Sequence, residues 1–138
     1  MPDEKQHTIR VLIVEDEPLI ALSMEDILVD AGFQIAGVAG KLEKALALVE
    51  GGACDAAIVD ANLGGVSASP VAVALAARDL PFIILSGYSR EQTQGFGSEA
   101  DFLKKPCQPA VLIEALNTLM RRHYFSKTRS NASAEDKR

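Results

Sequence analysis

Apolar positions along the chain switch repeatedly between a compact run and a helical spacing. Arg10 is followed by Val11, Leu12, Ile13 and Val14, a short β-branched run of the kind a strand needs when both of its faces are covered. The run ends in acid. Pro18 then opens a stretch in which Ile20, Met24, Ile27 and Leu28 recur at helical spacing, and Gly32 stops it. The same alternation predicts a strand over Gln34–Ala39, a helix over Leu42–Glu50 closed by Gly51 and Gly52, and a buried strand over Ala56–Asp60. Ser67 or Ser69 is placed to cap a helix running through Val71, Leu75 and Ala76 to Arg78, and Pro81–Ser86 reads as a fourth strand. Between Arg90 and Ser98 the glycines Gly95 and Gly97 leave only a short, marginal helix, because each internal glycine costs about 1 kcal/mol against alanine. Ala100–Lys104 gives a fifth strand, and Pro109 opens a last helix whose Val111, Leu112, Leu116, Leu119 and Met120 share a face.

Strict strand–helix alternation predicts an α/β fold, because parallel neighbours need crossover connections and those are right-handed. The number of pairs and the length suit a flavodoxin-like (βα)5 doubly wound sheet of order 2-1-3-4-5, with its active edge at the carboxyl ends of strands 1 and 3. With 138 residues the chain has the size of one domain. Residues 1–8 read as an N-terminal extension and 9–125 as the domain. Residues 126–138 are polar, serine-rich and poor in apolar groups, and are expected to be a disordered tail.

Composition narrows the function. Hydrophobic residues make up 48% and charged residues 24%, and the formal net charge of -5 leaves no basic surplus for a nucleic-acid backbone. A protein partner is therefore expected rather than direct nucleic-acid binding. No apolar run approaches the roughly 18 to 20 residues that span a bilayer, so no membrane contact and a cytoplasmic location are expected. Cys54 and Cys107 lack the spacing of a redox pair or a disulfide scaffold, and His7 and His123 join no cluster of metal-ligand spacing.

The predicted topology brings three carboxylates together. Glu15 and Asp16 leave the end of strand 1 beside Asp60 at the end of strand 3, and like charges in one crevice raise one another's pKa unless a hard cation offsets them. Magnesium fits, since it keeps several waters and binds through one or two carboxylates plus a phosphate oxygen. A carboxylate so neutralised can attack phosphorus to form an acyl phosphate. Ser86, at the end of strand 4, offers a hydroxyl and Lys105, after strand 5, a compact positive charge for the transferred group. Taken singly, each residue also suits a capping or solvated role; the set is what points to this chemistry.

The segments VLIVEDE, IVDANLGG, FIILSGY and FLKKP, in this order and at these separations, resemble the response-regulator receiver domain of two-component signalling over roughly Thr8 to Tyr124. The resemblance implies Asp60 as phosphoacceptor, Asp16 as direct metal ligand, Glu15 acting through water, and the backbone carbonyl of Asn62 completing the Mg2+ site. It implies Ser86 as the Thr/Ser switch, Lys105 as the signature lysine with a cis bond to Pro106, and Phe102 as an aromatic switch, although a fifth-strand phenylalanine also suits the core. The donor would be a histidine kinase or a histidine phosphotransfer protein, the chain would be no enzyme beyond its own phosphorylation and dephosphorylation, and the output would be a protein partner that binds one state. That partner's surface would comprise the Arg90–Ser98 segment, the fifth strand and the final helix.

Two features depart from the commonest pattern. Many receivers continue to Met-Pro after the phosphoacceptor, whereas here Ala61, Asn62, Leu63, Gly64 and Gly65 follow Asp60. Ser86, Gly87 and Tyr88, after Pro81 and Phe82, are similar to the single-domain FAT GUY subgroup, some members of which act in stress signalling. The side chains of Asn62 and Tyr88 are expected to flank the path of attacking water and so to tune dephosphorylation. Alternative readings are a phosphate sink in a phosphorelay, a pseudo-receiver, and a magnesium-dependent aspartyl phosphatase. The last usually has a second acid two residues after its nucleophile, where this chain has Asn62, and a cap for which no insertion is present.

Overall fold

Parallel pairing of apolar runs organises the molecule. The computed structural model describes residues 8–87, 95–96 and 100–136. Its elements, in order, are β1 (Arg10–Val14), α1 (Pro18–Asp30), β2 (Gln34–Ala39), α2 (Leu42–Glu50), β3 (Ala56–Asp60), β4 (Asn62–Leu63), β5 (Val66–Ser67), α3 (Ser69–Ala77), β6 (Phe82–Ser86), β7 (Asp101–Lys104) and α4 (Pro109–Asp136). The main sheet is parallel with order β2-β1-β3-β6-β7. Once the short β4 and β5 are set aside, this is the expected 2-1-3-4-5 order of a flavodoxin-like fold.

Period-two alternation within the strands builds a core on each face of the sheet. From β1, Val11 and Ile13 pack with Ala21, Met24 and Leu28 of α1 and with Leu112 and Leu116 of α4. Leu12 and Val14 face the opposite way, onto Ala45 and Val49 of α2 and Val71 and Leu75 of α3. Central β3 is buried along its whole length. Its start is held by Arg10, whose Nε and Nη2 reach both oxygens of Asp55 at 3.1 and 3.0 Å while the Arg10 amide donates to Asp55 Oδ2 at 2.8 Å. At the far edge, the ion pair between Arg122 and Asp101 ties α4 to β7.

Several boundaries differ from the sequence expectation. Neither serine is the N-cap of α3, which is Ala68; Ser67 Oγ instead accepts the Ser69 amide at 3.1 Å, just ahead of the helix. Residues 126–136, expected to be disordered, continue α4 as helix to Asp136. Low apolar content removes a packing face, but Ala, Lys, Arg and Glu are good helix formers and no glycine or proline follows Pro109 to break the run. The marginal helix expected over Arg90–Ser98 lies outside the described residues except for Gly95 and Phe96.

The end of α3 carries local strain. The Leu80 amide reaches back to Leu75 O at 2.9 Å and the Asp79 amide to Ala76 O at 3.0 Å, a Schellman closure that puts its C′ residue in the left-handed region. Here that residue is Asp79, at φ 58°, with a side chain whose negative charge also opposes the helix dipole. Asp79→Gly is therefore expected to raise stability by about 1 kcal/mol. Urea unfolding checks this: a higher midpoint at constant slope is expected, and an unchanged or lower midpoint contradicts the reading.

Candidate functional site

Strand ends of the parallel sheet deliver the polar residues. β1 runs directly into Glu15, whose amide donates to Ala39 O at 2.9 Å, and β3 ends on Asp60, beyond which the Ala61 amide continues the ladder to Leu85 O at 2.8 Å. On the neighbouring strand, Ser86 O accepts the Lys105 amide at 2.9 Å, fixing the start of the β7–α4 loop, and the Lys105–Pro106 bond is cis as the resemblance implies. Carboxylate oxygens of Glu15, Asp16 and Asp60 lie within 4.8 Å of one another. Glu15 and Asp60 are buried, as is Ser86.

One cation compensates this cluster among the described residues. Lys105 Nζ donates to Asp60 Oδ2 at 2.9 Å and lies 3.7 Å from Glu15 Oε1. Burial pushes the Lys105 pKa down, but the hydrogen bond to Asp60 and the charges of Asp60 and Glu15 outweigh it, and the net direction is up. The remaining oxygens are partly satisfied by backbone: the Asn62 amide donates to Asp60 Oδ1 and the Glu17 amide to Glu15 Oε2, both at 3.1 Å. Glu15 Oε1 is buried without a hydrogen-bond partner. Such an orphaned acceptor beside two further carboxylates is what a divalent cation with its water shell would satisfy, so the residues fit magnesium.

The loop after Asp60, where the Met-Pro of many receivers is missing, is a closed hairpin. Asn62 pairs with Ser67 and Leu63 with Val66, around Gly64 at φ 62° and Gly65 at φ 94°. Two positive φ angles define the type I′ turn favoured in two-residue hairpins, which explains the double glycine. Hydrogen-bonded and non-bonded pairs alternate along an antiparallel ladder. With Leu63 and Val66 flanking the turn, and the Ala68 amide bonded to Ala61 O at 3.0 Å, Asn62 falls in a non-bonded pair. Its N–H and C=O therefore face away from β5, and the N–H does so onto Asp60. The Asn62 carbonyl is left outside the ladder on that same side, where the resemblance implies a metal ligand.

A cavity of about 560 Å³ opens over this arrangement, lined by Asp16, Glu17, Asp60, Asn62, Gly64 and Lys105 among others. Ser86 is not in its lining, which at that strand end is Gly87. Phe102 is neither at the site nor in the core: it is 38% exposed and meets Phe96 edge-on, with ring centroids 6.1 Å apart. The Asn62 side chain lies in the lining of this cavity and is tied to its own turn, its Oδ1 accepting the Gly65 amide at 2.6 Å. Tyr88 lies outside the described residues. Sequence reasoning overlooked Glu17 and Gly64. Glu17, the third acid of the Glu15–Glu17 run, has its amide on Glu15, and a Cβ on Gly64 would lie 3.6 Å from Asp16 Oδ2. Three consecutive acids before Pro18 and a Gly-Gly four residues beyond Asp60 were the available signals.

Burial, the largest cause, lifts the Glu15 carboxyl from 4.5 to about 7; the Glu17 amide works against this and the Asp60 charge adds to it. Between those two values the folded chain holds a proton that the unfolded chain has released. Metal-free protein should thus lose stability as pH rises from about 4.5 to about 7, by on the order of 3 kcal/mol from this group. Urea midpoints measured across that range in a chelator should fall more steeply for wild type than for Glu15→Gln. Parallel curves would contradict the assignment.

Comparison with known proteins agrees with this geometry. The family model for the response regulator receiver domain matches residues 11–117. The transcriptional regulatory protein PdtaR of Mycobacterium tuberculosis is 30% identical over 118 residues, covering 82% of this chain and 57% of PdtaR, so the chain spans little more than half of that relative. Among solved structures, SdrG from Sphingomonas melonis Fr1 is 42% identical at a TM-score of 0.71, over 82% of this chain and 97% of SdrG. The signal receiver domain of a modulated diguanylate cyclase from Desulfovibrio desulfuricans G20 superposes with a TM-score of 0.78 at 27% identity, over 86% of this chain and 98% of that domain. The chain belongs to the response regulator receiver domain family.

Proposed function

We propose that Asp60 accepts a phosphoryl group from a phosphohistidine on a histidine kinase or phosphotransfer protein, with Mg2+ in the acidic cluster, and that the phosphorylated form signals by binding a protein partner in the cytoplasm. The observation that carries this reading is the contact of Lys105 Nζ with Asp60 Oδ2 at 2.9 Å in a group of three acids of which Glu15 and Asp60 are buried. A lysine merely solvated before a loop would not be held there.

In the transfer, a carboxylate oxygen of Asp60 forms the bond to phosphorus as the P–N bond of the donor breaks, and the imidazole leaves. Asp16, Asp60 and the Asn62 carbonyl would hold the cation directly and Glu15 through water; when bound, the cation neutralises charge on the incoming group. Lys105 shifts its hydrogen bond from the carboxylate to a phosphoryl oxygen, and the Ser86 hydroxyl, buried one residue below the cavity lining, turns toward another. Catalysis is mostly positioning, because the donor supplies a reactive phosphoramidate. The chain therefore acts as phosphoacceptor and not as a turnover enzyme. Phe102, partly exposed against Phe96, would pack inward once Ser86 moves. A full 1:99 to 99:1 shift of states would take about 5.5 kcal/mol of differential stabilisation.

Incubation with Mg2+ and acetyl phosphate, followed by intact mass, tests the reading. Wild type is expected to gain one base-labile phosphate that is absent from Asp60→Asn, and Lys105→Ala to accumulate at least tenfold less, roughly the cost of one charge-assisted hydrogen bond. Failure of wild type to gain phosphate, or equal labelling of Asp60→Asn, would refute it.

A further inference from the structure

We infer that Asn62 is a positioning residue for the cation: its side chain locks the Asn62–Ser67 hairpin so that the Asn62 carbonyl and the Gly64 backbone border the acidic cluster in a fixed geometry. This rests on the reading of the cluster as a Mg2+ site. The hairpin is fastened at every level. At its base, the Ala68 amide bonds to Ala61 O at 3.0 Å. One strand is pinned inward by Leu63, which is 6% exposed and belongs to the core on the α2–α3 face. At the tip, Asn62 Oδ1 takes the Gly65 amide at 2.6 Å across a turn that only residues tolerant of positive φ can form.

Asn62 thus has two attachments and one carbonyl outside the ladder, with different consequences. Its amide holds Asp60 Oδ1 at 3.1 Å, its side-chain oxygen holds the turn, and its carbonyl is left without a ladder partner on the Asp60 side. Removing the side-chain oxygen would release the tip, and with it the peptide plane that carries the carbonyl. The Gly64 backbone, whose Cβ position is 3.6 Å from Asp16 Oδ2, would lose its place beside the metal-binding acid at the same time.

Amide exchange at Gly65 and titration with Mg2+ alone, both followed in 1H–15N spectra, test the inference without any phosphorylation. In Asn62→Ala, Gly65 exchange should speed up about tenfold, the equivalent of one hydrogen bond. Mg2+ affinity should fall about tenfold, the usual scale for losing a group that orients a ligand. In acetyl phosphate assays the Mg2+ concentration for half-maximal labelling should rise while the rate at saturation recovers. Asn62→Asp keeps the acceptor, so Gly65 protection and Mg2+ affinity should both be retained, and this variant decides the matter if the alanine variant does not fold. Faster Gly65 exchange with wild-type Mg2+ affinity would reduce the contact to a structural one and overturn the inference, as would unchanged exchange in Asn62→Ala or lost affinity in Asn62→Asp. Wild type that binds Mg2+ yet takes no phosphate would refute the phosphoacceptor reading alone.

Discussion

The ion pair between Lys105 and Asp60 is the contact on which the site depends. A parallel sheet directs its strand ends to one edge, and here that edge gathers Glu15, Asp16 and Asp60 within 4.8 Å. Acids so close, two of them buried, would repel one another and oppose the packing of β1 against β3. Lys105 relieves part of this by reaching Asp60 at 2.9 Å and approaching Glu15 at 3.7 Å. The relief is incomplete, since Glu15 Oε1 still lacks a hydrogen bond. An arrangement that holds one compensating charge and leaves one acceptor unsatisfied favours any further cation, and then a phosphoryl group that can take over the lysine.

Legibility in the sequence followed burial. Apolar runs such as Val11–Val14 and Ala56–Val59 are buried on both faces, so a continuous run could be read only as a central parallel strand, and the order of strands followed from their alternation with helices. The acids and Lys105 were legible because each stands at the end of such a run, where topology alone dictates proximity. The hairpin after Asp60 was not, because a strand of two residues carries no periodicity; only the Gly64–Gly65 pair hinted at it. The helical course of residues 126–136 was missed for a related reason. Polar composition argues against a packed face, and helix propensity persists without one.

The hairpin also changes the meaning of Asn62. In the sequence its position two residues beyond Asp60 pointed to the path of water. In the fold its side chain belongs to its own turn, and its backbone belongs to the acidic cluster. On the reading proposed above, a post-acceptor loop clamped as a type I′ hairpin would give a bound cation a more rigid boundary than an open loop. Phe102 illustrates the opposite case: a strand phenylalanine that sequence placed in either core or switch stands 38% exposed on an edge strand, against Phe96 and paired in register with Ile84.

On the reading proposed above, Lys105 and Ser86 hold a group carried by Asp60. A crystal structure with Mg2+ and beryllofluoride, which mimics the acyl phosphate, tests it most directly. The account predicts beryllium on an Asp60 carboxylate oxygen, Lys105 Nζ transferred from the carboxylate to one fluorine, and the Ser86 hydroxyl turned to another. Beryllofluoride bound elsewhere, or bound to Asp60 with Lys105 still on the carboxylate, would contradict it.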